Sequence, residues 1–374
     1  MLRGLAWGHR RATGPLAPLA SAFRARTPGV EVAWEVRPLA AFEHGGIARA
    51  ASLCDFVIFD HPFSGDVAAT GCLLPLPDDL LGDDARWLGP SLASYRWEGR
   101  TYGLPVDAAA MHAVWRQDLL DAPPASWADT LALGPALRRR GLWLALPVHT
   151  PHAILALASL MANMGRPWET DHRKPFGVDR EGFEAAYGTI RELLAFAPPE
   201  CLGWNAIDLH DAMARRDDLA FCPAAYGYGT YGEPDAGGTG GTPLAFAPFA
   251  GAVTPFHRGS TLGGTALGLS ASCAEPEAAL AFLRFCASEG AQRIVRLHHG
   301  QPALAAEWTD EGVAFGGFFA AARSSIEEAW IRPRRHGYIP FQQAAGRALA
   351  EALREEAPAR SAWARVARLA EEVA

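Results

Sequence analysis

The first thirty-six residues contain a strand, a helix and a second strand, and this order strongly restricts the possible folds. LRGLAW (2–7) and VEVAWEV (30–36) have strand character, whereas Leu16, Leu19, Ala20 and Phe23 recur at helical spacing between them. A strand–helix–strand unit of this length predicts a parallel sheet. Ligands of such sheets bind in the loops beyond the carboxyl ends of the strands. Gly8, His9 and Arg10 are therefore candidate binding residues, although a solvated loop explains the arginines at 10 and 11 equally well.

A second strand end carries polar residues of the same kind. CDFVIFD (54–60) is a continuous apolar run, typical of a buried parallel strand, and Asp60 and His61 follow at its carboxyl end. These two side chains are further candidates for binding. Downstream, Ser126 with Asp129 three residues later predicts the capped start of a helix.

Length and charge exclude several classes of protein. A chain of 374 residues exceeds the usual size of one core, so two domains are expected. The net charge of -7 argues against nucleic-acid binding, and no apolar run is long enough to predict a membrane span. MLRGLAW lacks the apolar region of a signal peptide. Either the protein is cytoplasmic, or a leader has been removed.

The stretch Glu98–Leu120 raises a question about one carboxylate. We expect two extended segments, TYGLPV and MHAVWR, with a short turn at 107–110 between them. Asp107 would then cap a turn or face a cleft between two lobes, because a carboxylate is rarely buried without a partner.

Other motifs indicate neither a cofactor nor a metal. Gly227, Gly229 and Gly232 match the dinucleotide fingerprint literally, but Pro234 and a glycine-rich loop follow where a helix is required. His149 and His152 could bind a metal, but Pro151 disturbs their spacing and no acidic ligand is near in sequence. The six cysteines form no CxxC pair and fit buried thiols in a reducing compartment. Aromatic residues recur in the loops, as a small-molecule site requires: Trp7, Phe63, Trp204, Tyr226, Tyr228, Tyr231 and Tyr338.

Taken in order, the segments resemble the extracellular solute-binding proteins of ABC importers, in the sugar-binding, maltose-binding-protein-like branch. The carriers of this resemblance are LRGLAW with FRARTPGVEVAWEV, DFVIFDHPFSGDVAATGCLLPLPD, WEGRTYGLPVDAAAMHAVWRQDLLD with PASWADTLAL, and GGTALGLSASCAEPEAALAFLRFCAS. The resemblance implies an α/β, two-lobed periplasmic-binding-protein type II fold, in which each lobe is a mainly parallel sheet flanked by helices. It places 1–108 and 255–309 in the first lobe, and 112–252 and 313–374 in the second. Hinge crossings are expected near 107–113, 250–256 and 308–314.

The same resemblance implies a site and a function. The expected ligand-binding residues are Trp7, His9, Arg10, Asp60, His61, Asp107, His149, Trp204, Tyr226, Tyr228, Gly264 and Thr265. We expect a monomer that binds a small polar solute (a sugar, polyol or organic acid) by hinge closure, without cofactor or catalysis. Its partners would be ABC importer membrane subunits, and its location would be periplasmic, or cytoplasmic if the N-terminus is native. The alternative is a cytoplasmic enzyme or sensor on the same fold, in which Cys222 would be the nucleophile.

Overall fold

A computed structural model describes residues 1–38, 46–250, 259–309 and 315–373. The strands in these residues are β1 (Leu2–Trp7), β2 (Val32–Arg37), β3 (Phe56–Phe59), β4 (Leu73–Leu74), β5 (Arg96–Trp97), β6 (Arg100–Thr101), β7 (Leu104–Trp115), β8 (Trp143–Leu144), β9 (Leu219–Tyr226), β10 (Ala245–Ala247) and β11 (Leu262–Ser270). The α-helices are α1 (Arg10–Thr13), α2 (Leu16–Arg26), α3 (Ile47–Ala51), α4 (Ser64–Thr70), α5 (Asp78–Leu81), α6 (Trp127–Arg139), α7 (His152–Asn163), α8 (Arg180–Leu194), α9 (Ala206–Arg215), α10 (Pro276–Cys286), α11 (Glu289–Leu297), α12 (Phe318–Glu327), α13 (Tyr338–Arg354) and α14 (Ala359–Glu371).

The chain divides into two compact units, each assembled from three segments. Unit 1 contains Met1–Ala109, Gly263–Thr309 and Arg334–Ile339, and unit 2 contains Ala110–Leu262, Asp310–Pro333 and Pro340–Ala374. The chain therefore passes from unit 1 to unit 2 inside β7. The expected lobes differ from these units in that they assign 259–262 to the first lobe and 334–339 to the second.

The sheet of unit 1 confirms the parallel arrangement expected from the first thirty-six residues. β1 pairs in parallel with β2, from Leu2 opposite Val32 to Trp7 opposite Arg37, and in parallel with β3 on its other side. β11 runs antiparallel to β3, and the short β4 runs antiparallel to β11. Since β1 and β3 are parallel, their carboxyl ends lie at the same edge of the sheet, as the strand-end argument requires.

Unit 2 has a mixed sheet and a fully buried helix. β7 and β9 are antiparallel, β8 is parallel to β9, and β10 is antiparallel to β7. All twelve residues of α7 are buried, which fits a helix that is apolar around its whole circumference. At the start of α6, the Ser126 hydroxyl accepts a hydrogen bond from the Asp129 amide (3.1 Å), so the predicted cap is confirmed.

Two local predictions were wrong. No turn interrupts 107–110, because β7 is one continuous strand of twelve residues in which Ala108, Ala109 and Ala110 are buried. The loop expected at 8–11 instead contains the first turn of α1, since His9 caps it: its Nδ1 accepts a hydrogen bond from the Arg11 amide. Two of the expected crossings, near 250–256 and 308–314, and a helix that the sequence predicts over 40–52 lie in part outside the described residues, at 251–256, 310–314 and 40–45.

Candidate functional site

A cavity of about 40 Å³ lies in unit 1, beside the last residue of β1. Four residues supply its polar lining: Trp7, Arg11, Asp107 and Thr265. The rest of the lining is apolar and consists of Ala12, Pro15, Leu16, Leu19, Ile58, Val106 and Val295. The structure thus brings together three of the expected site residues, Trp7, Asp107 and Thr265, from β1, β7 and β11.

Arg11 and Asp107 form a two-pronged ion pair at this cavity. The Arg11 Nε donates to Asp107 Oδ1 at 2.7 Å, and Nη2 donates to Oδ2 at 2.5 Å. The two side chains are 4% and 12% exposed, so both charges are largely removed from water. Parallel hydrogen bonds of this kind are among the stronger interactions of a carboxylate. They explain how Asp107 is accommodated within a mostly buried strand, and the turn-cap interpretation of this residue was therefore wrong.

Sequence reasoning did not single out Arg11, which is more deeply buried than Asp107. The signal that could have found Arg11 is its position two residues after His9, a capping residue that follows the buried strand β1 with only Gly8 between them. Capping starts α1 at Arg10 and so fixes the backbone from which the Arg11 side chain reaches Asp107.

Gly264 allows β11 to approach β7 closely. Its φ of +88° suits glycine, and a Cβ atom at this position would lie 2.3 Å from the Asp107 carbonyl oxygen. The next residue, Thr265, lines the cavity, and its hydroxyl makes no hydrogen bond to another described residue. Gly264 therefore has a packing role, whereas Thr265 offers a hydroxyl to a bound molecule.

The other expected residues of unit 1 lie outside the cavity lining. His9 stacks on Trp7 with ring centroids 5.8 Å apart, and Arg10 Nη2 lies 3.0 Å from His299 Nε2. Asp60 accepts a hydrogen bond from the His61 amide at 3.0 Å and caps the short 3₁₀ turn after β3. His61 itself is fully buried. These contacts give His9, Asp60 and His61 structural roles at the strand ends.

In unit 2, a chain of hydroxyl groups connects α7 to the end of β9. The Ser159 and Thr261 hydroxyls are 2.9 Å apart, and the Tyr226 hydroxyl lies 3.0 Å from that of Thr261. Ser159 donates to the Leu155 carbonyl oxygen at 2.8 Å. Because each hydroxyl carries one proton, Thr261 then donates to Ser159 and Tyr226 donates to Thr261. Tyr226 itself is half-buried, and its oxygen also lies 3.5 Å from the Leu262 carbonyl oxygen.

Two other expected residues of unit 2 are joined through the backbone. The His149 amide donates to the Trp204 carbonyl oxygen at 3.0 Å. The His149 side chain is exposed and its Nδ1 lies 2.9 Å from the Thr150 carbonyl oxygen, while Trp204 is half-buried with the Arg216 guanidinium 5.9 Å from its ring. Both side chains are thus accessible to solvent.

His152, which sequence reasoning considered only as a possible metal ligand, is the more unusual histidine of this region. It is 5% exposed, and neither ring nitrogen has a hydrogen-bond partner among the described residues. Burial, with smaller contributions from His149 and His210, lowers the pKa of His152 to about 3. The imidazole is therefore neutral near pH 7, with one donor and one acceptor nitrogen.

The glycine-rich motif of unit 2 is explained by packing. A Cβ atom at Gly227 would lie 1.7 Å from His112 Nε2, and a 3₁₀ turn at Gly229–Gly232 follows in place of an α-helix. Tyr228 is buried, with its ring 5.6 Å from that of His210. The motif consequently lacks the helix N-terminus of a dinucleotide site, as the sequence indicated.

Cys222 does not have the environment of a nucleophile. It is fully buried in β9, and burial raises the pKa of its thiol far above the ordinary range. A catalytic thiol needs access to substrate and an appreciable thiolate fraction. Among the described residues, no group of three or more histidine, cysteine or acidic side chains is arranged to hold a metal ion.

Solved structures with low sequence identity share this fold over nearly their whole length. The maltose-bound MalE3 of T. maritima is 17% identical, with 100% of this chain and 99% of that chain covered and a TM-score of 0.81. The ABC transporter solute-binding protein of Agrobacterium radiobacter K84 in complex with ribitol is 17% identical, with 100% and 98% covered and a TM-score of 0.80. The one from Thermotoga lettingae TMO bound with alpha-D-tagatose is 16% identical, with 100% and 99% covered and a TM-score of 0.82. These similarities confirm the two-lobed periplasmic-binding-protein fold.

A family model provides the evidence on membership. Residues 19–296 match the model described as bacterial extracellular solute-binding protein, and this range is well over half of the 374 residues. The matched range contains most of the segments that carry the sequence resemblance, from the second strand to the helix α10. On this match, the chain belongs to the bacterial extracellular solute-binding proteins.

Proposed function

We propose that the chain is the substrate-binding component of an ABC importer and binds a sugar or polyol. Family membership supports the general role, and the neighbours with maltose, ribitol and tagatose support a hydroxylated solute over an organic acid. The structural observation that carries the proposal is the unit 1 cavity, where Trp7, Asp107 and Thr265 meet.

The chemistry of the cavity fits an uncharged ligand. Because Arg11 already pairs with Asp107, these two residues of the lining present no uncompensated charge to a carboxylate or phosphate. An aromatic ring and a hydroxyl beside a paired carboxylate are groups that suit a sugar or polyol. Ligand contacts of Tyr226, His149 and Trp204 in unit 2, and closure by hinge motion, remain predictions from the sequence resemblance.

The proposed location is outside the cytoplasmic membrane, with importer membrane subunits as partners. This follows from the family, whose members are described as extracellular. Within the described part of the chain, no helix has both the length and the apolar character needed to cross a bilayer.

The proposal is tested by thermal shift with panels of sugars, polyols and organic acids. A ligand at about 100 times its Kd adds roughly 2.7 kcal/mol to the unfolding free energy, which raises Tm by several degrees. We expect a sugar or polyol to do so. If only organic acids stabilise the protein, the proposed solute class is wrong; if no panel member does, the binding role at this site is wrong.

Thr265→Val links the binding to the cavity. Valine keeps the shape of threonine, and the Thr265 hydroxyl makes no hydrogen bond within the described structure, so Tm without ligand should change little. Affinity should fall about 3- to 10-fold, the equivalent of one ordinary hydrogen bond. Thr189→Val, on the surface of α8, is the matched control and should leave affinity unchanged.

A further inference from the structure

The unit 1 cavity is lined by two chemically different kinds of residue, and its size bears on which solute fits. Arg11, Asp107 and Thr265 supply polar groups, whereas Leu16, Leu19 and Val295 are aliphatic. The inference below rests on the proposed function, because it concerns which end of a hydroxylated solute enters this cavity.

The polar residues of the lining keep hydrogen-bonding capacity after the ion pair is formed. An ionised carboxylate has about four acceptor positions, and the two hydrogen bonds from Arg11 occupy two of the Asp107 positions. The Thr265 hydroxyl, which bonds to no described residue, can both donate and accept. Asp107 can therefore accept from a solute hydroxyl, and Thr265 can donate to one or accept from one.

The size of the cavity limits the group that can occupy it. A volume of about 40 Å³ compares with roughly 10–15 Å³ for one water position, so there is room for a group of about three heavy atoms. Its aliphatic lining offers no hydrogen-bond partner. A hydroxyl pointing into that part of the cavity would lose its bonds to water without replacement, whereas a methyl group would lose none.

We propose that the cavity binds a –CHOH–CH₃ end, with the hydroxyl at Asp107 and Thr265 and the methyl against Leu16, Leu19 and Val295. The chain would then prefer deoxy polyols that end in a methyl group to the otherwise identical polyols that end in a hydroxymethyl group. The aliphatic part of the lining determines this preference, and the ion pair and Thr265 determine the need for the neighbouring hydroxyl.

The experiment measures Kd by titration calorimetry for matched acyclic pairs, such as L-rhamnitol with L-mannitol and L-fucitol with galactitol. Burying one methyl-sized group corresponds to about a fourfold tighter Kd, so the methyl member should bind at least fourfold tighter. Leu19→Phe fills the cavity and should reduce this ratio to about one. Leu297→Phe, at a side chain that is 67% exposed, should leave the ratio unchanged.

Further measurements keep the test decisive if Leu19→Phe unfolds. Val295→Ile adds a single methyl group to the same cavity and should lower the ratio by a smaller factor, while Thr265→Val should weaken both members equally. Equal or tighter binding of the hydroxymethyl members, or a ratio that the cavity variants do not change, would overturn the inference and leave sugar binding intact. If no sugar or polyol binds, the proposed function fails together with it.

Discussion

Asp107→Ala tests the ion pair at the cavity most directly. The substitution leaves the Arg11 guanidinium, 4% exposed in its side chain, without its carboxylate partner. Removing one member of a buried ion pair costs about 3–5 kcal/mol, because the remaining charge stays buried without compensation. For a unit of this size, that cost lowers Tm by roughly 6–20 °C.

The double variant Arg11→Met/Asp107→Leu measures how strongly the two charged side chains are coupled. Replacing both charges by apolar side chains of similar volume is often close to neutral. We therefore expect the double variant to be more stable than either single variant, with a coupling energy of at least about 2 kcal/mol. Urea unfolding followed by tryptophan fluorescence, together with calorimetry, measures these differences.

An exposed pair of the same unit provides the matched control. Arg96 and Asp84 are also joined by two hydrogen bonds, of 2.9 and 2.8 Å, but their side chains are 41% and 54% exposed. Asp84→Ala should cost no more than about 1 kcal/mol and lose its effect in high salt. If Asp107→Ala costs no more than Asp84→Ala, or if the Arg11 and Asp107 substitutions are additive, the reasoning about a buried, coupled pair is refuted.

Three further predictions concern single residues. Burial lowers the pKa of His152 to about 3, so as the pH falls the unfolded chain binds a proton at this histidine before the folded protein does. The free energy of unfolding should therefore keep its full value above about pH 6.5 and fall toward pH 3 by up to about 1.4 kcal/mol per pH unit. The urea midpoints at pH 5 and pH 7.5 should differ less in His152→Leu than in the parent protein. The control His298→Gln, at an exposed histidine, should keep the parent difference. An unchanged difference in His152→Leu would contradict the lowered pKa of His152. Cys222 should react with a thiol reagent after unfolding but not in the native protein, and rapid native labelling that ligand prevents would restore the catalytic alternative. Gly264→Ala should lower the free energy of unfolding by about 2–5 kcal/mol, through backbone strain and the clash with the Asp107 carbonyl oxygen. Gly29→Ala is the control, because Gly29 has a φ of +93° but open space around it, and it should cost only about 1–2 kcal/mol. Equal costs in equilibrium unfolding would exclude the clash.

The features that sequence predicted well depend on neighbours along the chain. The first strand was predicted at its observed bounds, because alternation and apolar runs are local signals. The Ser126 cap likewise involves residues three positions apart. The fold followed from the order of such local segments, and no single motif was needed.

The environment of Asp107 could not be predicted in the same way. Its partner Arg11 is 96 residues away, and the sequence gives no sign that the two meet. Without that partner, a carboxylate among apolar residues favours a turn, and the prediction for 107–110 followed this reasoning. Burial of His152 is a similar case, because it depends on packing around α7 that no short window of sequence contains.

The division of unit 1 into three chain segments has a consequence during synthesis. Its first segment ends at Ala109, but its last segment ends only at Ile339. At about 5–20 residues per second, the ribosome needs roughly 10–50 s to make the intervening chain. The amino-terminal strands lack β11 until Ser270 has been made, so for much of this time the nascent protein must remain soluble with an incomplete sheet. Chaperones and proteases that bind unfolded chains therefore have a long interval in which to bind the nascent protein before unit 1 can complete its fold.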